Sequence, residues 1–173
     1  GSICGFDENQ FHPDTQVREA VRVELNIGLE QTVILFIGRL NRDKGVLDLA
    51  TAFANIASSQ TYLVMVGEAE DVSFETIKRI CGLHCEKLRG IGFTSDPGRY
   101  MAAADILCLP SYREGFGQVI IEAAASGVPT VASRIYGITD AVEDGKTGLL
   151  FPAGDIAALT QALLKLIKDR DLA

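Results

Sequence analysis

A doubly wound α/β domain on a parallel sheet is the fold class this sequence predicts. Two observations carry the prediction: short apolar runs that do not alternate, and amphipathic segments of helical period between them. The runs TVILFIG (from Thr32), TYLVMVG (from Thr61), DILCLP (from Asp105) and PTVAS (from Pro129) are apolar and rich in β-branched residues. That is the pattern of strands covered on both faces. Between them Val46, Leu49, Ala50, Phe53, Ile56 and Ala57 recur at steps of three and four, and Ile120, Ile121, Ala124, Ala125 and Val128 do likewise. Strand and helix therefore alternate.

The ends of the chain read differently. GSICGFDENQFHPD is rich in turn formers and leads into a charged helix predicted over 15–25. Residues 1–30 are thus expected to be an interdomain linker and lead-in helix, and residues 31–173 the domain proper. DIAALTQALLKLIKDRDLA is an amphipathic helix with Asp155 as its N-cap and no closing Gly or Pro, which points to a chain cut at that place.

With 173 residues and 47% apolar content the chain suits one domain. Its 16 basic against 23 acidic residues give a net charge of −7, which argues against a sequence-independent grip on nucleic acid or anionic lipid. Any phosphate must be held locally. Of the four cysteines, Cys108 falls in a predicted buried strand, and together with Cys4, Cys81 and Cys85 it fits a reducing, cytoplasmic setting better than a disulfide framework. Cys81, His84 and Cys85 in CGLHC lack the second pair that a tetrahedral site needs, so plain packing is the reading and no metal is expected. No apolar run approaches the roughly 20 residues that cross a bilayer.

Anion chemistry is concentrated in two segments. In IGRLNRDKGVLDL, Gly38 permits a tight turn and Arg39, Arg42 and Lys44 cluster just before the next helix. Ligands of open α/β sheets sit beyond the carboxyl ends of the strands, where helix N-terminal amides favour anions. The competing reading is a solvated basic loop; on this segment alone the two are evenly balanced, and position favours the site. Neither G-x-G-x-x-G nor the Walker lysine loop occurs, so dehydrogenase and P-loop classes are excluded.

The second segment, SYREGFGQVIIEAAASGVP, carries Glu114 and Glu122. On one regular helix, eight residues would set them about 12 Å apart in rise and about 80° apart in rotation. Gly115 and Gly117 break that helix, so Glu114 is expected in the strand-to-helix loop and the helix is expected to begin near Gln118. Gln118, Glu122 and Ser126 then form a polar row opposite Ile121, Ala125 and Val128. The bland reading is the wet side of an amphipathic helix. Against it, Ala123, Ala124, Ala125 and Gly127 allow close backbone approach, and a carboxylate in a crowded place needs hydroxyl or N–H partners. A vicinal diol such as a ribose 2′,3′ pair would satisfy both oxygens.

These residues resemble the donor-binding, C-terminal half of retaining GT-B glycosyltransferases of the glycosyl transferases group 1 family. The resemblance spans about residues 5–166. It rests on FIGRLNRDKGVLDL, on RYMAAADILCLPSYREGFGQVIIEAAASGVPTVAS and on DAVEDGKTGLLF, with the two glutamates separated by seven residues as its most specific mark. It implies a single Rossmann-like domain, the C-terminal half of a GT-B fold, with a nucleotide-sugar donor, expected to be a UDP-sugar, as substrate, and use in polysaccharide or glycoconjugate synthesis.

Roles follow residue by residue from the resemblance. Arg39 and Lys44, next to Gly38, match the basic pair that contacts the donor diphosphate and stabilises it as it leaves. Glu122 matches the glutamate on the ribose hydroxyls, and Glu114 the one beside the transferred sugar and departing phosphate. Gly115, Phe116 and Gly117, with Gln118 and Val119, match the loop whose amides meet sugar and phosphate oxygens. GIGFTSD occupies the base-lining stretch, so main-chain atoms near Gly92 and Phe93 are expected to read the nucleobase. Glu114, Arg39 and Lys44 are the catalytic candidates, and neither cofactor nor metal is expected. Asp169, Arg170 and Asp171 do spell the Asp-x-Asp by which other glycosyltransferases hold Mn²⁺, but in a tail expected to fray, and are read as chance.

The sequence also departs from the family pattern. VGEAED stands for the usual Gly-x-Gly-Pro, IYGITDAV for Gly-Gly followed by Pro-Glu, with Asp140 at the acidic place, and Gln118 stands where the family is often apolar. The resemblance further implies that an N-terminal, acceptor-binding half is missing, that the fragment alone transfers nothing, and that any peripheral membrane association belongs to the full-length protein. His12 and His84 offer no general base. A UDP-sugar epimerase fragment of the same fold and a non-catalytic nucleotide-binding module are the competing readings.

Overall fold

The computed structural model describes residues 7–115 and 117–172; Cys4, Phe116 and the side chain of Asp171 lie outside that description. The chain runs α1 (Thr15–Glu24), β1 (Thr32–Ile37), α2 (Val46–Ile56), β2 (Thr61–Val66), α3 (Phe74–Cys81), β3 (Leu88–Gly92), α4 (Pro97–Ala103), β4 (Ile106–Leu109), α5 (Gln118–Ala125), β5 (Thr130–Ser133), β6 (Gly148–Phe151) and α6 (Ile156–Leu172). All strand pairs are parallel and the sheet order is β3-β2-β1-β4-β5-β6. The order reverses between β1 and β4, and the crevice at the carboxyl ends of those two strands is where such sheets place their ligands.

Alternation along each strand divides the core. Ile34 and Phe36 face α2, α3 and α6, where Leu49, Phe53, Ile77, Leu159 and Leu163 are fully buried. Val33 and Leu35 face α1, α4 and α5 through Val21, Met101, Ile120 and Ala123. Both β1 and β2 are covered on both sides, which is why they read as continuous apolar runs. Two strands that the sequence did not announce, β3 (LRGIG) and β6 (GLLF), are the two edges of the sheet.

The polar anchor of the fold is Asp105. One of its carboxylate oxygens accepts from Arg18 at 2.6 Å and lies 3.0 Å from Arg170 Nε; the other accepts from Arg22 at 2.8 Å and from the Val33 amide at 2.8 Å. Arg22 is fully buried and also donates to the carbonyls of Ala103, Gly28 and Gln31. Arg170 donates to Thr32 Oγ1 and the Gln31 carbonyl, so the last turn of α6 is tied down where the sequence suggested fraying. The lead-in helix is likewise packed on the domain: Phe11, Val21 and Ile27 belong to its core and Asp14 caps α1. Cys81 is buried, donates to the Ala50 carbonyl, and burial pushes its thiol up to about 11. Among the described residues no helix is long and apolar enough to cross a membrane.

Candidate functional site

Two loops meet at the β1/β4 crevice. The first leaves β1, makes a short 3-10 turn at Arg42–Lys44 capped by the Asn41 side chain, and enters α2 through Gly45. The second leaves β4 and reaches α5. Gly45 joins them: its φ is +72°, and a Cβ there would lie 1.9 Å from the Pro110 carbonyl oxygen. No side chain fits that approach. The Tyr112 amide donates to the Asp43 carbonyl at 2.7 Å, and the Tyr112 hydroxyl donates to Asp48 of α2. That bond and partial burial push the Tyr112 hydroxyl up to about 12. We expect Gly45→Ala to lower the melting temperature of the chain by several degrees, each 1 kcal/mol lost moving a domain of this size by roughly 2–4 °C. A melting curve superimposable on that of the parent would contradict the steric reading.

Across this junction the Lys44 ammonium donates to both oxygens of Glu114, at 3.1 and 2.9 Å. Ser111, wholly buried, donates to the same carboxylate at 3.2 Å. The Glu114 side chain is only 13% exposed and that of Lys44 26%, so the pair is partly desolvated and faces the crevice with one edge. Gly38 lies against the Lys44 stem. Ser111 sits in the quoted PSYR stretch, yet only the fold shows that it steadies Glu114.

Arg39 behaves differently. It is 71% exposed and reaches Glu70 at 3.5 Å, a surface pair of little energetic weight. The acidic loop VGEAED explains this: Asp71 accepts from the Arg42 amide, Leu40 donates to the Glu68 carbonyl and accepts from the Glu70 amide. The departure from Gly-x-Gly-Pro therefore straps the β2 loop onto the basic loop. The structure brings Lys44 and Glu114 together and leaves Arg39 beside Glu70.

Helix α5 starts at Gln118, as its glycines require. The Gly117 amide, expected to face a ligand, is already donated to the Gly137 carbonyl at 3.0 Å. Gly137 adopts φ +93°, and a Cβ there would come within 2.3 Å of the Glu114 carbonyl oxygen, so the segment after β5 buttresses the glutamate loop. The Gln118 and Val119 amides at the helix start make no hydrogen bond among the described residues. Gly115 borders open space.

The polar row along α5 is not its wet side. Gln118 Nε2 and Ser126 Oγ are buried without a partner among the described residues, whereas Ala124 is exposed and Ile121 half-buried. The Glu122 side chain, between them, makes no hydrogen bond or ion pair among the described residues, and burial raises its pKa. Gly92 lines a cavity of about 370 Å³ at the ends of β2 and β3, floored by Leu40, Met65 and Phe74. Phe93 is outside that lining and 74% exposed.

A doubly wound parallel sheet in this strand order, with a cation and a carboxylate facing each other at its switch point, is a Rossmann-type domain. The chain belongs to the family of glycosyl transferases group 1, whose model matches residues 17–173. It is 36% identical to D-inositol 3-phosphate glycosyltransferase of Corynebacterium kroppenstedtii, over 98% of this chain and 40% of that protein. The solved structure of Anabaena HepE in complex with UDP and glucose is 29% identical, with a TM-score of 0.85 over 96% of this chain and 46% of that one. The C-terminal domain of a group 1 family protein, LpcC from Francisella tularensis, is 23% identical and shares the fold, with a TM-score of 0.81 over 97% of this chain and 90% of its own. The chain thus spans less than half the length of the first two relatives.

Proposed function

We propose that this chain is the donor-binding half of a retaining, metal-independent glycosyltransferase that takes a UDP-sugar and works, together with an N-terminal acceptor-binding half, in polysaccharide or glycoconjugate assembly in the cytoplasm. The observation that carries the reading is the Lys44–Glu114 contact at the switch point, 2.9 Å across two loops locked together beside a helix N-terminus. Negative charge grows on the β-phosphate as a nucleoside diphosphate departs, and a preorganised cation with helix amides stabilises it. Lys44 supplies the cation, Arg39 joins it once released from Glu70, and the Gln118 and Val119 amides supply the dipoles. The scheme calls for no divalent ion.

Glu114 then lies at the transferred sugar, with Gly115 beside it. Glu122 takes the ribose hydroxyls, an assignment its raised pKa and lack of a protein partner support. The cavity at Gly92 takes the base, with Phe93 at its margin. Uridine is favoured by the UDP named in the HepE complex, although a relative from Mycobacterium tuberculosis, 29% identical, is named as GDP-mannose-dependent. Calorimetric titration of this chain with UDP, GDP and ADP tests the reading: UDP should bind most tightly, and indifference to all three would end it.

Glu122→Gln separates the ribose role from a structural one. Folding raises the Glu122 pKa, so the ionised group opposes folding increasingly as pH rises through its unfolded value. The neutral amide should therefore raise the melting temperature at pH 8 while weakening UDP binding and raising the donor KM of the complete enzyme. A lower melting temperature with unaltered UDP affinity would count against both parts.

A further inference from the structure

The end of the sheet away from the crevice holds a second hollow. Asp105 directly precedes β4 and Pro129 directly precedes β5, and at those amino ends α1, α5 and α6 surround a cavity of about 430 Å³. It shares no lining residue with the cavity of Gly92 or with the Lys44–Glu114 pair, so nothing in the donor reading fills it.

Its donors are spent and its acceptors are not. Arg18 and Arg170 line it, but both are turned onto protein: Arg18 donates to the Ala102 and Ala104 carbonyls and to Asp105, and Arg170 to Thr32 and the Gln31 carbonyl with its Nε on Asp105. Asp169, by contrast, is exposed and makes no hydrogen bond or ion pair among the described residues, and Asp14 commits one carboxylate oxygen to the Val17 amide. Ser126, 7% exposed, closes α5 in the cavity wall, and its buried hydroxyl has no partner among the described residues. Such a group costs stability until something completes it. The last turns of α5 and α6 also end here, where helix carbonyls carry negative partial charge. Open acceptors beside committed donors select a ligand that is positive and donates. Two carboxylates fall short of a metal centre, and among the described residues no group of three metal-ligating side chains gathers anywhere. An ammonium carries three N–H donors and no acceptor, and Val128 and Leu166 in the same wall suit the methylenes that bear it.

We propose that the cavity between α1, α5 and α6 binds an alkylammonium group. The Asp169 carboxylate supplies the counter-charge, the Ser126 hydroxyl turns by one rotamer step to accept from the nitrogen, and the methylene stem lies along Val128 and Leu166. A free diamine and the lysine side chain of a polypeptide present the same group.

Titration of this chain with 1,4-diaminobutane tests the site, with 1-butanol as the neutral control and a second series run in saturating UDP. The diamine should bind and the alcohol should not. Asp169→Asn should weaken the diamine about tenfold and Ser126→Ala about threefold. Neither side chain has a partner to lose among the described residues, so both variants fold, and superimposable circular dichroism checks it. Nα-acetyl-lysine methylamide separates the two sources: tighter binding than the diamine assigns the cavity to a polypeptide lysine, equal or weaker binding to a free amine. No binding of either ammonium, equal binding of 1-butanol, or indifference to either substitution overturns the proposal. Displacement of the diamine by UDP does so too, because it would place the amine at the donor crevice. Failure of UDP itself to bind removes the donor reading alone and leaves the diamine result standing.

Discussion

Replacing Asp105 with alanine should remove about 3–5 kcal/mol of folding stability, the range found when one partner of a buried ion pair is deleted. The side chain is 7% exposed and gathers Arg18, Arg22 and Arg170 on one carboxylate. Without it, a fully buried guanidinium loses its counter-charge while two others remain close by. Burial alone would raise the Asp105 pKa, but the Val33 amide and the guanidiniums of Arg18 and Arg22 outweigh it and the net shift is downward. A carboxylate lowered by folding contributes stability that is complete above its unfolded value, about 3.9, and disappears as pH falls through the folded value. The parent should therefore lose stability in acid below about pH 4, and the variant should show less of that dependence. Urea denaturation at pH 7 and at pH 3 measures both effects; a loss below about 1 kcal/mol at pH 7 would show the cluster to be ornamental.

Lys44→Ala should lower the turnover of the complete enzyme at least about 100-fold, the cost of removing one preorganised donor to a developing oxyanion. It should also weaken UDP binding by this chain. The pair keeps one edge open to the crevice and Ser111 still donates to Glu114, so the fold should persist and circular dichroism should be unaltered. The Glu114 charge would then face the diphosphate with nothing to balance it, which adds repulsion to the lost attraction. Unchanged turnover would remove Lys44 from the diphosphate and, with it, the main support of the functional reading.

Composition and spacing made the central architecture legible because β1, β2, β4 and β5 are covered on both faces and must be apolar throughout. The edge strand β3 escapes that logic: it carries Arg89 and two glycines, and Arg89 is turned to the carbonyls of Leu25 and Glu86. The helix start at Gln118 was readable from local glycine chemistry. The Arg22–Asp105 contact was not, since an arginine on a charged helix looks solvated and its partner is 83 residues away. The same distance effect hid Arg170, which looked like part of a chance metal motif. At the site, the Lys44 and Glu114 positions were legible through a family pattern, whereas the burial of Gln118 and Ser126 depends on how α5 is rotated against the sheet. The diversion of Arg39 to Glu70 depends on VGEAED, a stretch whose contacts no spacing rule predicts.

The contact of Gly45 with Pro110 has a mechanical meaning. Backbone touching backbone leaves the two loops no slack to part, and the Tyr112 clasp on Asp43 and Asp48 ties them again. On the proposed reading an incoming diphosphate would meet a rigid jaw whose movable parts are side chains: Lys44, Glu114 and the exposed Arg39. Its arrival would exchange partners on Lys44 and ask nothing of the main chain, so affinity there should track ionic strength more than chain flexibility.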